Sequence, residues 1–113
     1  MPTNLSVILN GNKIYEYEKT TRQPGKKREF LDNMDLDMDE GLELDGDFIR
    51  SPDKMQRAQY VAMSLLLGIK MNNDGLKSVT CGYLVTRLPE LNQIRAIEEG
   101  EELTMDLIFE EEN

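Results

Sequence analysis

The chain has 113 residues, a formal charge of −9 and no histidine. That length supports one domain with a modest core, and a lone cysteine excludes an internal disulfide framework. The missing histidines remove the commonest general base and transition-metal ligand, and no apolar run approaches the roughly 18–20 residues that span a bilayer.

Leu5–Leu9 and Ile14–Tyr17 bracket Asn10-Gly11-Asn12. Asn-Gly between β-prone runs is the strongest short-range hairpin signal, because both residues tolerate positive φ. Leu5, Val7 and Leu9 alternate onto one face, so residues 4–18 read as a β-hairpin. Thr20–Arg28 follows as a polar connector with a Pro-Gly turn signal and a basic cluster.

From Lys26 onward Phe30, Leu31, Met34 and Met38 fall at helical spacing, with Leu42 one turn further and Gly41 as a stop. The reading is a first helix over residues 26–41, with Asp32, Asp35 and Asp39 on its outer face, running into an acidic loop.

Ser51-Pro52-Asp53 reads as a second helix start. Serine caps the free amides, proline suits the first helical position, and aspartate complements the dipole. Met55, Ala58, Ala62, Leu65, Leu66 and Ile69 keep the helical period, while Val61, Met63 and Leu67 add a second apolar side. That marks the helix over residues 52–71 as the most buried element. Residues 75–88 fit two patterns. Leu76, Val79, Tyr83, Leu84 and Leu88 suit a helix capped by Asp74, whereas Val79, Cys81, Tyr83 and Val85 suit a strand. A helix ending before Pro89 is the favoured reading.

Asn92–Ile97 and Leu103–Phe109 bracket an acidic stretch whose Gly100 marks a turn. Leu103, Met105, Leu107 and Phe109 alternate with polar neighbours, as a half-buried strand requires. Residues 110–113 form a charged tail expected to fray. The sum is an α+β fold over residues 1–113. It is expected as a two-layer domain whose mostly antiparallel four-stranded sheet, built from the N- and C-terminal hairpins, is covered by two or three helices.

The charge is concentrated in two blocks, residues 32–47 and 98–113, each with eight carboxylates and no basic residue. Such blocks repel nucleic acid and anionic membranes, so neither is expected as a partner. The alternating aspartates of the first block resemble a calcium loop. That loop needs ligands at its first, third and fifth positions, glycine at the sixth and glutamate at the twelfth. Begun at Asp35, the register meets Glu40 where glycine belongs and Gly46 where glutamate belongs; begun at Asp37, Leu42 takes the sixth place. Neither register fits, and no metal or cofactor is expected.

Cys81 lacks an imidazole partner and sits in an apolar run, and no glycine-rich phosphate cradle occurs. No enzymatic activity is expected. Arg50 and Arg57, near the second helix start, form a candidate anion contact, with Asp45 and Asp47 as competing partners. What remains is an acidic interaction surface made of Asp32, Asp35, Asp39, Glu40, Glu43, Asp45, Asp47, Glu98, Glu99, Glu101 and Glu102. Its expected partner is another protein with a basic surface, or a second copy in a homodimer through an exposed strand edge. The opening residues lack the basic-then-apolar shape of a signal peptide, and a cytoplasmic location is expected. One alternative is an acidic mimic of nucleic acid that occupies the groove of a DNA- or RNA-binding protein. A second is weak binding of divalent cations or a small ligand.

Overall fold

A computed structural model of the chain describes residues 4–19, 25–44 and 46–109. Thr20–Pro24 of the connector, Asp45 and the tail 110–113 lie outside the described residues, as does the Phe30 side chain. The elements in order are β1 (Asn4–Leu9), β2 (Asn12–Glu18), α1 (Gly25–Asp39), β3 (Leu42–Leu44), β4 (Asp47–Ile49), α2 (Lys54–Lys70), α3 (Asp74–Arg87), β5 (Leu91–Glu99) and β6 (Glu102–Phe109). The fold is α+β, with strands at both ends of the chain and helices between. It divides into two compact units within α3, between Tyr83 and Leu84. One unit holds the four-stranded sheet and the last turn of α3; the other holds α1, the β3–β4 pair, α2 and the rest of α3.

The sheet has the order β2-β1-β5-β6. Each hairpin is antiparallel, and the two are joined by a parallel pairing of β1 with β5. The inner strands are the apolar ones: Leu5, Val7, Leu91, Ile94 and Ala96 are all buried. Asn10 and Gly11 adopt φ of 50° and 83°, the two positive values a two-residue hairpin loop demands. Asn10 also extends the parallel ladder, donating its amide to the Ala96 carbonyl at 2.9 Å and accepting from the Glu98 amide at 2.9 Å. Its side chain thereby fastens one hairpin to the other.

Two register shifts correct the alternation. One lies opposite Val7/Ile8, where Ile14 is the extra residue on β2, so that Lys13 and Glu16 share a face and pair at 3.5 Å. The other lies at Leu91/Gln93, where the extra Asn92 lets Leu91 and Ile94 both turn to the buried face. The C-terminal strands run further than expected, because Glu98 pairs with Leu103 and Glu99 with Glu102 around a two-residue loop.

In the helical unit, three local readings change. The second helix is capped by Asp53, whose carboxylate accepts from the Gln56 amide at 2.8 Å while the Gln56 side chain accepts from the Asp53 amide at 2.9 Å. This reciprocal box displaces Ser51 from the cap, and Ser51 instead sits at φ 51°. The acidic loop after α1 contains a small hairpin, β3 with β4, that buries Leu42 and Leu44. Residues 74–87 are helical, but the cap is Asn73 rather than the expected Asp74, since the Asn73 side chain accepts from the Leu76 amide at 3.1 Å while Asp74 is the first helical residue.

Candidate functional site

Three helices of the second unit surround a groove of about 600 Å³. Helix α1 supplies Met34, Asp37 and Met38, α2 supplies Tyr60, Val61 and Ser64, and α3 supplies Leu76, Val79 and Thr80; Gly41 and Leu42 close one end. The spacing follows from the helical period, which places residues three or four apart on one face. Two glycines shape the walls. Gly68 lets α3 approach α2, since a Cβ there would meet Leu76 Cγ at 3.2 Å. Gly41, at φ 115°, lies under the Phe48 ring, which a Cβ would strike.

Most of the groove's lining is apolar, and its Thr80 and Ser64 hydroxyls are spent locally. Thr80, fully buried, donates to the Leu76 carbonyl at 2.7 Å, and Ser64 donates to the Tyr60 carbonyl at 3.2 Å. Asp37 stands exposed at the rim. The apolar wall continues from Tyr60 along α2 beyond the groove to Leu67 and Met71, which share a face with Ser64; the three are 39%, 52% and 63% exposed. The second apolar side expected of α2 is therefore only partly covered. Val61 is buried as expected, but the second apolar side is left open around Leu67.

One polar cluster fixes the three helices around the groove. Arg57 donates through Nη1 to the Asp35 carbonyl and carboxylate, both at 3.2 Å, through Nη2 to the Asp39 carboxylate, and through Nε to the Pro52 carbonyl at 3.0 Å. Tyr83 Oη donates to Asp35 Oδ1 at 2.6 Å. The Asp39 hydrogen bond above all, then Asp35, raises the Arg57 pKa above its ordinary value against the cost of burial. Asp35 is therefore partly buried between Arg57 and Tyr83, not on the outer face that the sequence suggested. Its position, four residues after Leu31 and three before Met38, puts it within the apolar stripe of α1, and that was the overlooked signal. Arg57 takes Asp35 and Asp39 as partners, whereas Asp47 upstream is exposed. Arg50 is exposed as well.

The remaining acidic residues sort by unit. Asp32, Glu40, Glu43 and Asp47 are exposed in the helical unit, and Glu98, Glu99, Glu101 and Glu102 are exposed at the tip of the β5–β6 hairpin. Asp45 lies outside the described residues. Asp37 and Glu40 carry no ion pair among the described residues, which leaves the α1 side of the groove negative. Among the described residues no group of three or more His, Cys, Asp or Glu could hold a metal ion. Cys81 is fully buried, and burial pushes its thiol pKa up to about 12, with Lys77 opposing. At neutral pH it is a protonated core side chain without nucleophilic character. Compared with known proteins, the chain matches no family model, no curated protein and no solved structure.

Proposed function

We propose that this chain is a small, acidic, cytoplasmic protein-interaction module without catalytic activity, and that its contact surface is the three-helix groove. The observation that carries the reading is an apolar wall left in solvent, Tyr60, Leu67 and Met71, continuous with a groove whose Ser64 and Thr80 hydroxyls are satisfied internally. A contiguous exposed apolar surface bounded by charge is the usual mark of an interaction site. Methionines at 34, 38 and 71 suit it to adaptable contacts. The outer strands β2 and β6 carry Lys13, Glu16, Glu18, Glu102 and Asp106, and charges on edge strands disfavour edge-to-edge pairing. The reading therefore places association at the groove rather than in a strand-edge homodimer.

The test is affinity capture from the native host with three forms of the protein. The wild type is expected to retain a partner that Tyr60→Glu loses, Tyr60 being exposed enough to accept the change without unfolding. A nucleic-acid mimic would behave in the opposite way. It would keep its partner after Tyr60→Glu and lose it when Glu98, Glu99, Glu101 and Glu102 become glutamine.

A further inference from the structure

We infer that the groove receives a short amphipathic helix of a partner protein, about three turns long, with apolar anchors on one face and lysine or arginine flanking them. The inference rests on the interaction reading above and adds the chemistry of the occupant. Length comes first. Tyr60, Ser64, Leu67 and Met71 form one stripe along α2 and its C-cap, and at ~1.5 Å per residue they span about 16 Å, three turns of a facing helix. The groove of about 600 Å³ would by itself suit a compact ligand; the exposed Leu67 and Met71 beyond it extend the apolar surface to three turns.

Charge fixes the sign of the flanking residues. Two carboxylates beside the groove, Asp35 and Asp39, are consumed by Arg57. Asp37, Glu40 and Glu43 are exposed and carry no ion pair among the described residues. Asp37 lines the groove and Glu40 precedes the lining Gly41, whereas Glu43 alternates with the lining Leu42 and turns to the opposite face of β3. A segment with basic residues beside its anchors gains by complementing this rim, and an acidic one is repelled. On the α3 side Lys77 pairs with Asp74 at 3.1 Å, so it does not reverse the sign.

Two synthetic 14-residue helices, one of leucine and lysine and one of leucine and glutamate, test this beside the neutral dye Nile red. The lysine peptide is expected to shift the amide signals of Met34, Ser64, Leu76 and Val79. It should bind at least about tenfold tighter than the glutamate peptide and weaken about tenfold in Tyr60→Glu. The double variant Asp37→Lys, Glu40→Lys should lose that preference. Glu98→Lys, Glu99→Lys, an equal change of charge in the other unit, should leave it within about twofold. An equal loss in both double variants would sink the inference, because net charge alone would then explain binding. Equal affinity for the two peptides at the groove would overturn the charge assignment and leave the interaction reading standing. Saturable Nile red binding without peptide shifts would replace the helix by a small apolar ligand. If no probe perturbs the groove, this inference and the interaction reading both fall.

Discussion

Arg57 ties α1 to the start of α2, since its fork reaches two carboxylates of α1 and a carbonyl before α2, while Asp35 is also held by Tyr83 from α3. Replacing it by alanine takes the guanidinium away from Asp35 and Asp39 while the Tyr83 hydroxyl stays on Asp35. The cost should be about 1–3 kcal/mol by urea denaturation, below that of a fully buried pair because Asp39 is half exposed. Arg57→Lys should recover less than half of that loss, a point charge being unable to bond two carboxylates and a carbonyl together. Cys81 gives the pH counterpart. Its folded pKa lies near 12, above the ordinary value of 9.0, so the folded state keeps a proton that the unfolded chain releases. Stability from this group is complete below pH 9 and is lost as pH rises toward 12, by at most about 1.4 kcal/mol per pH unit. The matching readout is chemical: a thiol-specific reagent at pH 8 should label the native protein only at the rate of unfolding.

Among the elements, the start of α2 shows most directly where local sequence misleads. Ser51-Pro52-Asp53 offers two cap candidates, and Gln56 decides between them because it stands three residues after Asp53, at the distance a capping box needs. Asp53→Ala should lower stability by about 1 kcal/mol. Ser51→Gly should raise it by up to about 1 kcal/mol, because Ser51 occupies positive φ; a true serine cap would show a loss. The N-terminal hairpin was legible because Asn10-Gly11 carries its turn chemistry in two residues. The β3–β4 hairpin was equally encoded, by Asp45-Gly46 between Leu42-Glu43-Leu44 and Phe48-Ile49, but its carboxylates drew the reading toward an acidic loop. Helix α3 resisted assignment because Thr80, Cys81, Gly82, Tyr83 and Leu84 are buried in succession, which erases any period. The groove itself was illegible for a different reason. Met34, Val61 and Leu76 look like core residues in any helix, and whether such a face closes depends on how three helices are spaced, which no single stretch of sequence records.

At the scale of the whole molecule, charge acts against compactness. Each acidic block sits mainly in a different unit, and the C-terminal one repels itself: Glu99 faces Glu102 across β5–β6, with Glu98 and Glu101 exposed beside them. Like charges directly opposite on a strand pair are destabilising, and at −9 the chain as a whole adds long-range repulsion. Salt should therefore stabilise this protein. Between ~0.01 M and ~0.15 M ionic strength the screening length falls from about 30 Å to about 8 Å, and the unfolding midpoint in urea should rise accordingly. Urea is the denaturant to use, because guanidinium chloride would itself screen the charges. The same experiment separates diffuse screening from a built calcium site. Diffuse screening predicts equal midpoints in calcium and magnesium chloride at matched ionic strength. A specific site of ~10 μM affinity would add about 2.7 kcal/mol in ~1 mM calcium, far outside that equality. Equal midpoints are the expected outcome, since the aspartates of α1 are spaced by a helix and two of them already hold Arg57. A calcium-specific rise, lost on Asp37→Asn, would show instead that the acidic block binds the ion directly.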